Sequence, residues 1–499
     1  MKADRLRVAI IGSGFSGLCV AIQLKKAGVK SFAVFEKANA LGGTWRDNTY
    51  PGAACDVPSI SYCFSFEQKT DWSRKWAPHD EILGCLEHCA RKYELLPHIR
   101  FGTEIAGAVF DQAEGAWHLR TTSGETFVAD FLVCGTGQLN RPSTPVIPGA
   151  SDFRGECFHS ARWDHGYDMT GKTVGVIGNA SSAIQFIPQI TKQVAELFVF
   201  QRTPNWMLPR GDRPFTDFER SLFAKLPWLV KLYRWWNWAR LEVLFYPVIR
   251  RNETLSRRAR EVSLENMRSL IPDPTLQEKL IPDYPPGAKR ILITDDYYQA
   301  LARPNVHLVT APIDRITRDS IITKDGEARR VDVLIYATGF QTTEFLAPMK
   351  IHGVGGKSLD EEWNNGARAY LGISVAGFQN MFMMYGPNTN LGHNSIIFMI
   401  ECQTRYIVEC IRQAVRGGLK WIDVRDDVMD LYNAEIQQKL AGSVWAQVDH
   451  SWYKNDSGVI TNNWSGSTLE YWWKTRHVDL GAYRQEARSF QGANVAAAA

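Results

Sequence analysis

No stretch of the 499-residue chain is apolar for long enough to cross a bilayer, since the best candidate, residues 226–249, is broken by Lys231, Arg234, Arg240 and Glu242. The cysteines are few and badly placed for pairing. There are nine, Cys19, Cys55, Cys63, Cys85, Cys89, Cys134, Cys157, Cys402 and Cys410, and no two are separated by two or four residues, the spacing of redox-active disulfides. That argues against dithiol chemistry, and no spacing suggests a structural zinc, so no metal is expected. With no secretory signal in view, the thiols read as reduced and the protein as cytoplasmic. A long basic tract is also missing: 57 basic and 53 acidic residues are interspersed, for a net charge of +4. Nothing asks for a nucleic-acid partner, and small molecules are the expected ligands.

What the chain does have is aromatic bulk, 17 Trp, 17 Tyr and 24 Phe, which serves packing first and the lining of an apolar pocket second. One aromatic run, Tyr233, Trp235, Trp236 and Trp238, has basic neighbours and could touch a membrane surface. The expected role is instead a helix covering the active site or a neighbouring domain, with no membrane contact.

Two segments carry the order apolar strand, glycine turn, helix, strand. The first is VAIIGSGFSGLCVAIQLKKAGVKSFAVFEK from Val8, and the second is KTVGVIGNASSAIQFIPQITKQVAELFVFQRT from Lys172. In the first, Gly12, Gly14 and Gly17 form GxGxxG between strand and helix, spaced for a tight turn, close approach to a pyrophosphate and close helix–strand packing. Glu36 ends the second strand, where a carboxylate accepts hydrogen bonds from a ribose. The loop that follows, Leu41 to Phe66, is rich in Gly, Pro and small residues and offers Trp45, Tyr50 and Tyr62 to a flat ligand, which favours FAD over NAD. Phe15, Ser16, Thr44 and Val109 are taken as further cofactor contacts.

In the second unit Gly178, Asn179, Ser181 and Ser182 surround a helix N-terminus that can cradle a diphosphate. Its strand ends without an acid. Arg202 and Thr203 stand there instead, which suits the 2′-phosphate of NADPH. Ala180 departs from the pattern, because it occupies the place of the middle glycine. The expected fold is α/β, with two Rossmann-like dinucleotide-binding domains, for FAD and NADPH, and a helical insertion packing over the active site.

On the connection between the units lies FRGECFHSARWD, in which Phe153, Gly155, His159, Trp163 and Asp164 resemble the signature of type I Baeyer–Villiger monooxygenases. The GGTWRDNTYPGAACD run resembles the family's second fingerprint. YPPGAKRIL, ATGF and MYGPNTNLGHNS follow in family order, and SWYKN and EYWWKTR look closest to members acting on aryl ketones such as 4-hydroxyacetophenone. The resemblance implies an enzyme that uses FAD, NADPH and O2 to convert a ketone to an ester or lactone through a C4a-peroxyflavin. It implies Arg290 as the catalytic cation, Asp56 as its counter-charge, Lys289 on the NADPH phosphate, and His159 as a functional residue of the signature that gates cofactor movement rather than exchanging protons. A flavin-dependent N- or S-oxygenase is the alternative.

Divided accordingly, residues 1–140 and 336–490 form the FAD-binding domain, 141–170 the signature linker, 171–212 and 287–335 the NADPH-binding domain, 213–286 the helical insertion and 491–499 a disordered tail.

Overall fold

The computed structural model describes residues 5–449, 451–455 and 457–488. Residues 491–499, expected as a tail, lie outside them.

Strand Leu6–Ile11 is the axis of the larger, eight-stranded sheet. It pairs in parallel with Phe32–Phe35 on one side and with Thr126–Cys134 on the other. Its run of Val, Ala and Ile is buried on both faces, as a central parallel strand requires. The helix between the first two strands, Phe15–Lys26, is buried along almost its whole length because the long helix Ile396–Arg416 packs on its other side. Antiparallel strands Ile105–Asp111 and Ala116–Thr121 extend the sheet beyond Thr126–Cys134. Two strands from much later in the chain, Lys350–His352 and Met381–Met383, join the same sheet in parallel. Both halves of the sequence thus build one layer.

The second sheet has five strands, all parallel, in the order Val306–Val309, Glu196–Phe200, Thr173–Ile177, Val333–Tyr336, Glu156–His159. Helix Ala183–Ile190 crosses between the second-unit strands, with Ile184, Phe186, Ile187 and Ile190 in the core. The fold is therefore α/β with two Rossmann-like units.

In sequence between the second-sheet strands Glu196–Phe200 and Val306–Val309 come the helices Asp217–Lys225, Pro227–Ile249, Glu253–Leu270 and Pro274–Lys279. Thr216 and Glu219 start the first with a reciprocal capping box, and Asn252 caps the third. The insertion differs from expectation in one respect. None of its residues lines the cleft between the units. It stands behind the cleft wall, against residues 59–61 and 444–447, because its inward side chains are occupied in holding those segments. No helix among the described residues is long and apolar enough to cross a membrane.

Candidate active site

A single cleft of about 1230 Å³ runs between the two glycine turns. At the first, Gly12 has φ +96°, and a Cβ there would lie 2.6 Å from the Gly135 carbonyl oxygen. A Cβ on Gly17 would lie 1.8 Å from the Gly12 carbonyl oxygen, so helix and strand meet only because both are glycine. Gly14 has no protein atom closer than 3.7 Å to such a Cβ and leaves the backbone open to the cleft. No side chain caps the helix that starts at Phe15, so its first amides are free for an anion.

Glu36 sits at the strand end, buried. One carboxylate oxygen accepts from the Ser13 amide at 3.0 Å and hydroxyl at 2.7 Å, and the other accepts from the Ala38 amide and from Arg46. It orders the turn itself, and Arg46 is shared between Glu36 and Asp47.

The second turn repeats the first. Gly178 has φ +110°, and a Cβ there would lie 2.4 Å from the Ala337 carbonyl oxygen, the counterpart of Gly12 against Gly135. Ala180 is exposed and lines the cleft with Ser181 and Ser182. Asn179 ties the turn to the strand end, donating to Gln201 at 2.6 Å and to the Thr203 carbonyl at 3.0 Å. Arg202 and Lys289 both line the cleft, and among the described residues neither is in an ion pair. Burial, and then the nearby charge of Arg202, push the Lys289 ammonium below the ordinary lysine range. Asp283 offsets this only in part, and two neighbouring cations without a paired carboxylate make a site for an anion.

Between the turns, the half-buried Arg290 donates from Nε to Asp56 Oδ2 at 2.8 Å and from Nη2 to the same oxygen. The carboxylate raises the guanidinium further above its ordinary value, so the cation is permanent. Two residues from outside, Gln185 and Arg210, hold the loop that carries Asp56. Gln185 accepts from the Tyr50 hydroxyl at 3.0 Å and donates to the Ala54 carbonyl at 3.0 Å, Arg210 donates to the Cys55 carbonyl, and Gly52 packs on the Gln185 backbone where a Cβ would lie 2.7 Å from its oxygen. Phe15, Trp45 and Tyr62 form an edge-to-face group along the first unit's side of the cleft.

The arrangement offers two helix N-termini without side-chain caps, two neighbouring cations and one anchored guanidinium in one cleft. A family description, flavin-binding monooxygenase-like, matches residues 5–218. A Baeyer–Villiger monooxygenase of Streptomyces coelicolor is 40% identical over 483 residues, covering 96% of this chain and 93% of that protein. This chain belongs to the Baeyer–Villiger monooxygenases. Among solved structures, an oxidized steroid monooxygenase bound to NADP superimposes with a TM-score of 0.86 at 32% identity, covering 97% of this chain and 100% of that one. An OTEMO complex with FAD and NADP superimposes with a TM-score of 0.87 at 28% identity, covering 97% and 100%.

In this Baeyer–Villiger monooxygenase the signature segment has a physical reading. Gly155 is pressed against strand Val333–Tyr336, where a Cβ would lie 2.2 Å from the Asp332 carbonyl oxygen. Trp163 is buried against Phe158 and against Phe186 of the second-unit helix. Asp164 accepts from the Gly166 amide at 2.8 Å and closes the turn. His159 ends its strand opposite Tyr336 and accepts from the Ala161 amide through Nδ1 at 3.1 Å. Its Nε2 is buried without a hydrogen-bond partner among the described residues, and burial pushes the imidazole down to about 4. His159 does not line the cleft.

One other sequence assignment changes. Val109 is half-exposed on strand Ile105–Asp111 and lies off the cleft, which this strand reaches only through Ile105 at its start. Gly17 packs helix against strand beneath the turn, the role its place in GxGxxG gives it, and does not itself face the cleft.

Tyr385, Asn390 and Trp452 were not singled out, although they line the cleft. The Tyr385 hydroxyl donates to Asn390 at 2.6 Å, and its φ of 55° is a left-handed conformation costly for a tyrosine, whereas the 56° of Asn388 suits an asparagine. Such strain cannot be seen in sequence. The signal available was MYGPNTNLGHNS itself.

Proposed function

We propose that this cleft inserts one oxygen atom of O2 beside the carbonyl of an organic ketone, with FAD held at the first turn and NADPH at the second, and releases an ester or lactone. The observation that carries the reading is the Arg290–Asp56 pair standing between two dinucleotide turns in one cleft.

The donor set fits both cofactors. Gly12, Gly14, Phe15 and Ser16 would present backbone to the FAD diphosphate, and Thr44, Trp45, Tyr50 and Tyr62 would help hold the rest of that cofactor. Gly178, Ser181 and Ser182 would do the same for NADPH, whose 2′-phosphate falls to Arg202 and Lys289. When bound, reduced FAD supplies the activated oxygen. Asp56 keeps Arg290 charged and pointed, and Nη1, which has no partner among the described residues, is the donor left for negative charge developing on the ketone oxygen. The neutral His159 orders the signature turn and exchanges no proton near neutral pH. The protein works in the cytoplasm, where its cysteines stay free.

The test is a ketone panel on the purified, FAD-loaded protein, following NADPH consumption and product mass. A gain of one oxygen atom in product, absent with amines and sulfides, is expected. Oxygenation of amines or sulfides alone would overturn the reading.

A further inference from the structure

The long helix Pro227–Ile249 turns its polar contacts and the rings of Tyr233, Trp238 and Tyr246 inward, and three of its tryptophans outward. Inward, Arg234 donates to the carbonyls of Ile60 and Cys63, beside the cleft residue Tyr62. Glu242 accepts from the Thr468 amide and hydroxyl and from Asn394, which lines the cleft. Outward, Trp228, Trp235 and Trp236 are 59%, 59% and 58% exposed, joined by Leu232, Val243 and Leu244. Positions 228, 232, 235, 239 and 243 recur at helical spacing, so these residues form one stripe along a helix about 35 Å long. The sequence leads one to expect this face to cover something, yet the described residues leave it open.

A continuous exposed apolar stripe marks an interaction surface. The exposed charges on the helix, Lys231 and Arg240, are both positive, and its one acid, Glu242, is turned inward. Lys225 and Arg250, both exposed, flank its ends. Pairing this face with a second copy sets positive against positive, with no exposed acid on the helix to offset them. Anionic headgroups complement it. Tryptophan on one face with Lys and Arg beside it is the composition of a helix lying in the plane of a lipid–water interface, and the helix is not apolar enough to go through. We propose that this helix docks the enzyme onto an anionic phospholipid bilayer. Because Asn394 hangs from the inner side of the same helix, a docked bilayer lies one helix away from the cleft wall. On the ketone reading above, on which this last step rests, the substrates are then lipophilic ketones dissolved in the membrane.

The test is flotation of the FAD-loaded full chain with vesicles of phosphatidylcholine alone or mixed with phosphatidylglycerol. The parent is expected to float with the anionic vesicles and to be released by salt. The triple variant Trp228→Ser, Trp235→Ser, Trp236→Ser should lose at least tenfold in bound fraction, with turnover of a water-soluble ketone unchanged. Lys231→Glu with Arg240→Glu should abolish the preference for anionic lipid. A parent that floats with neither vesicle, or a triple variant that floats like the parent, overturns the proposal. So does a parent dimer in sedimentation equilibrium that the triple variant dissolves, since the face then belongs to a second copy. Flotation needs no substrate, so its failure is distinguishable from failure of the ketone reading.

Discussion

Replacing Arg290 by alanine should abolish ester formation while leaving the protein folded and able to consume NADPH. Arg290 gives Nε and Nη2 to Asp56, an arrangement that fixes the guanidinium plane and leaves Nη1 for the cleft. Removing one preorganised donor of this kind costs about 2.7–4 kcal/mol, a fall of about a hundred- to a thousandfold in the oxygenation rate. Because the side chain is half-buried and sits at the cleft rather than in the core, its loss should barely move the melting temperature. Arg290→Lys keeps a charge but gives up the forked contact with Asp56, so it should recover only part of the rate. Asp56→Ala should fail by another route, leaving the guanidinium charged but unpointed. The assay measures ester, hydrogen peroxide and NADPH in the same reaction, with a ketone the parent accepts. The expected signature is NADPH loss matched by peroxide rather than ester. Ester production by Arg290→Ala at near-parental rates would refute the assignment.

Arg202→Ala should weaken NADPH use by about ten- to a hundredfold and leave NADH use nearly unchanged, since one charge-assisted contact to a phosphate contributes about 1.5–3 kcal/mol; comparing kcat/KM for the two nucleotides checks this. Lys289 has its pKa lowered, so its ammonium is lost earlier than an ordinary lysine's as pH rises. KM for NADPH should therefore climb on the alkaline side, and Lys289→Ala should flatten that limb. With its imidazole pushed down to about 4, His159 stays neutral from about pH 6 to 8. The rate profile there should show no inflection that His159→Gln removes. Gly17→Ala, forced against the Gly12 carbonyl, should cost about 1–3 kcal/mol or more and yield protein without yellow colour, read by absorbance and thermal melting.

The two turns were legible because their chemistry is local: glycines a few residues apart between an apolar strand and an apolar helix already state the geometry of Gly12, Gly17 and Gly178. The contacts that complete the site were not. Gln185 reaches Ala54 across 131 residues, a separation at which periodicity is silent. Glu36 was placed correctly at its strand end, but its partner Arg46 lies in a loop with no repeating pattern. Val109 went astray because alternation along a strand tells which residues share a face, not which face meets the ligand. The insertion reads as helix from its spacing, yet only packing reveals that it backs the wall instead of roofing the cleft.

Gln185 touches no catalytic group, yet it fastens the Asp56 loop to the helix of the other nucleotide unit. That makes the loop a lever with its fulcrum on the NADPH side. On the proposed reading, a rotation of one unit against the other would pull on the carboxylate that pairs with Arg290, so the aim of that cation would follow how the units sit together. An engineer who alters the nucleotide preference of this enzyme by resurfacing the second turn should therefore expect the ratio of ester to peroxide to change as well, without having substituted any residue that meets the ketone.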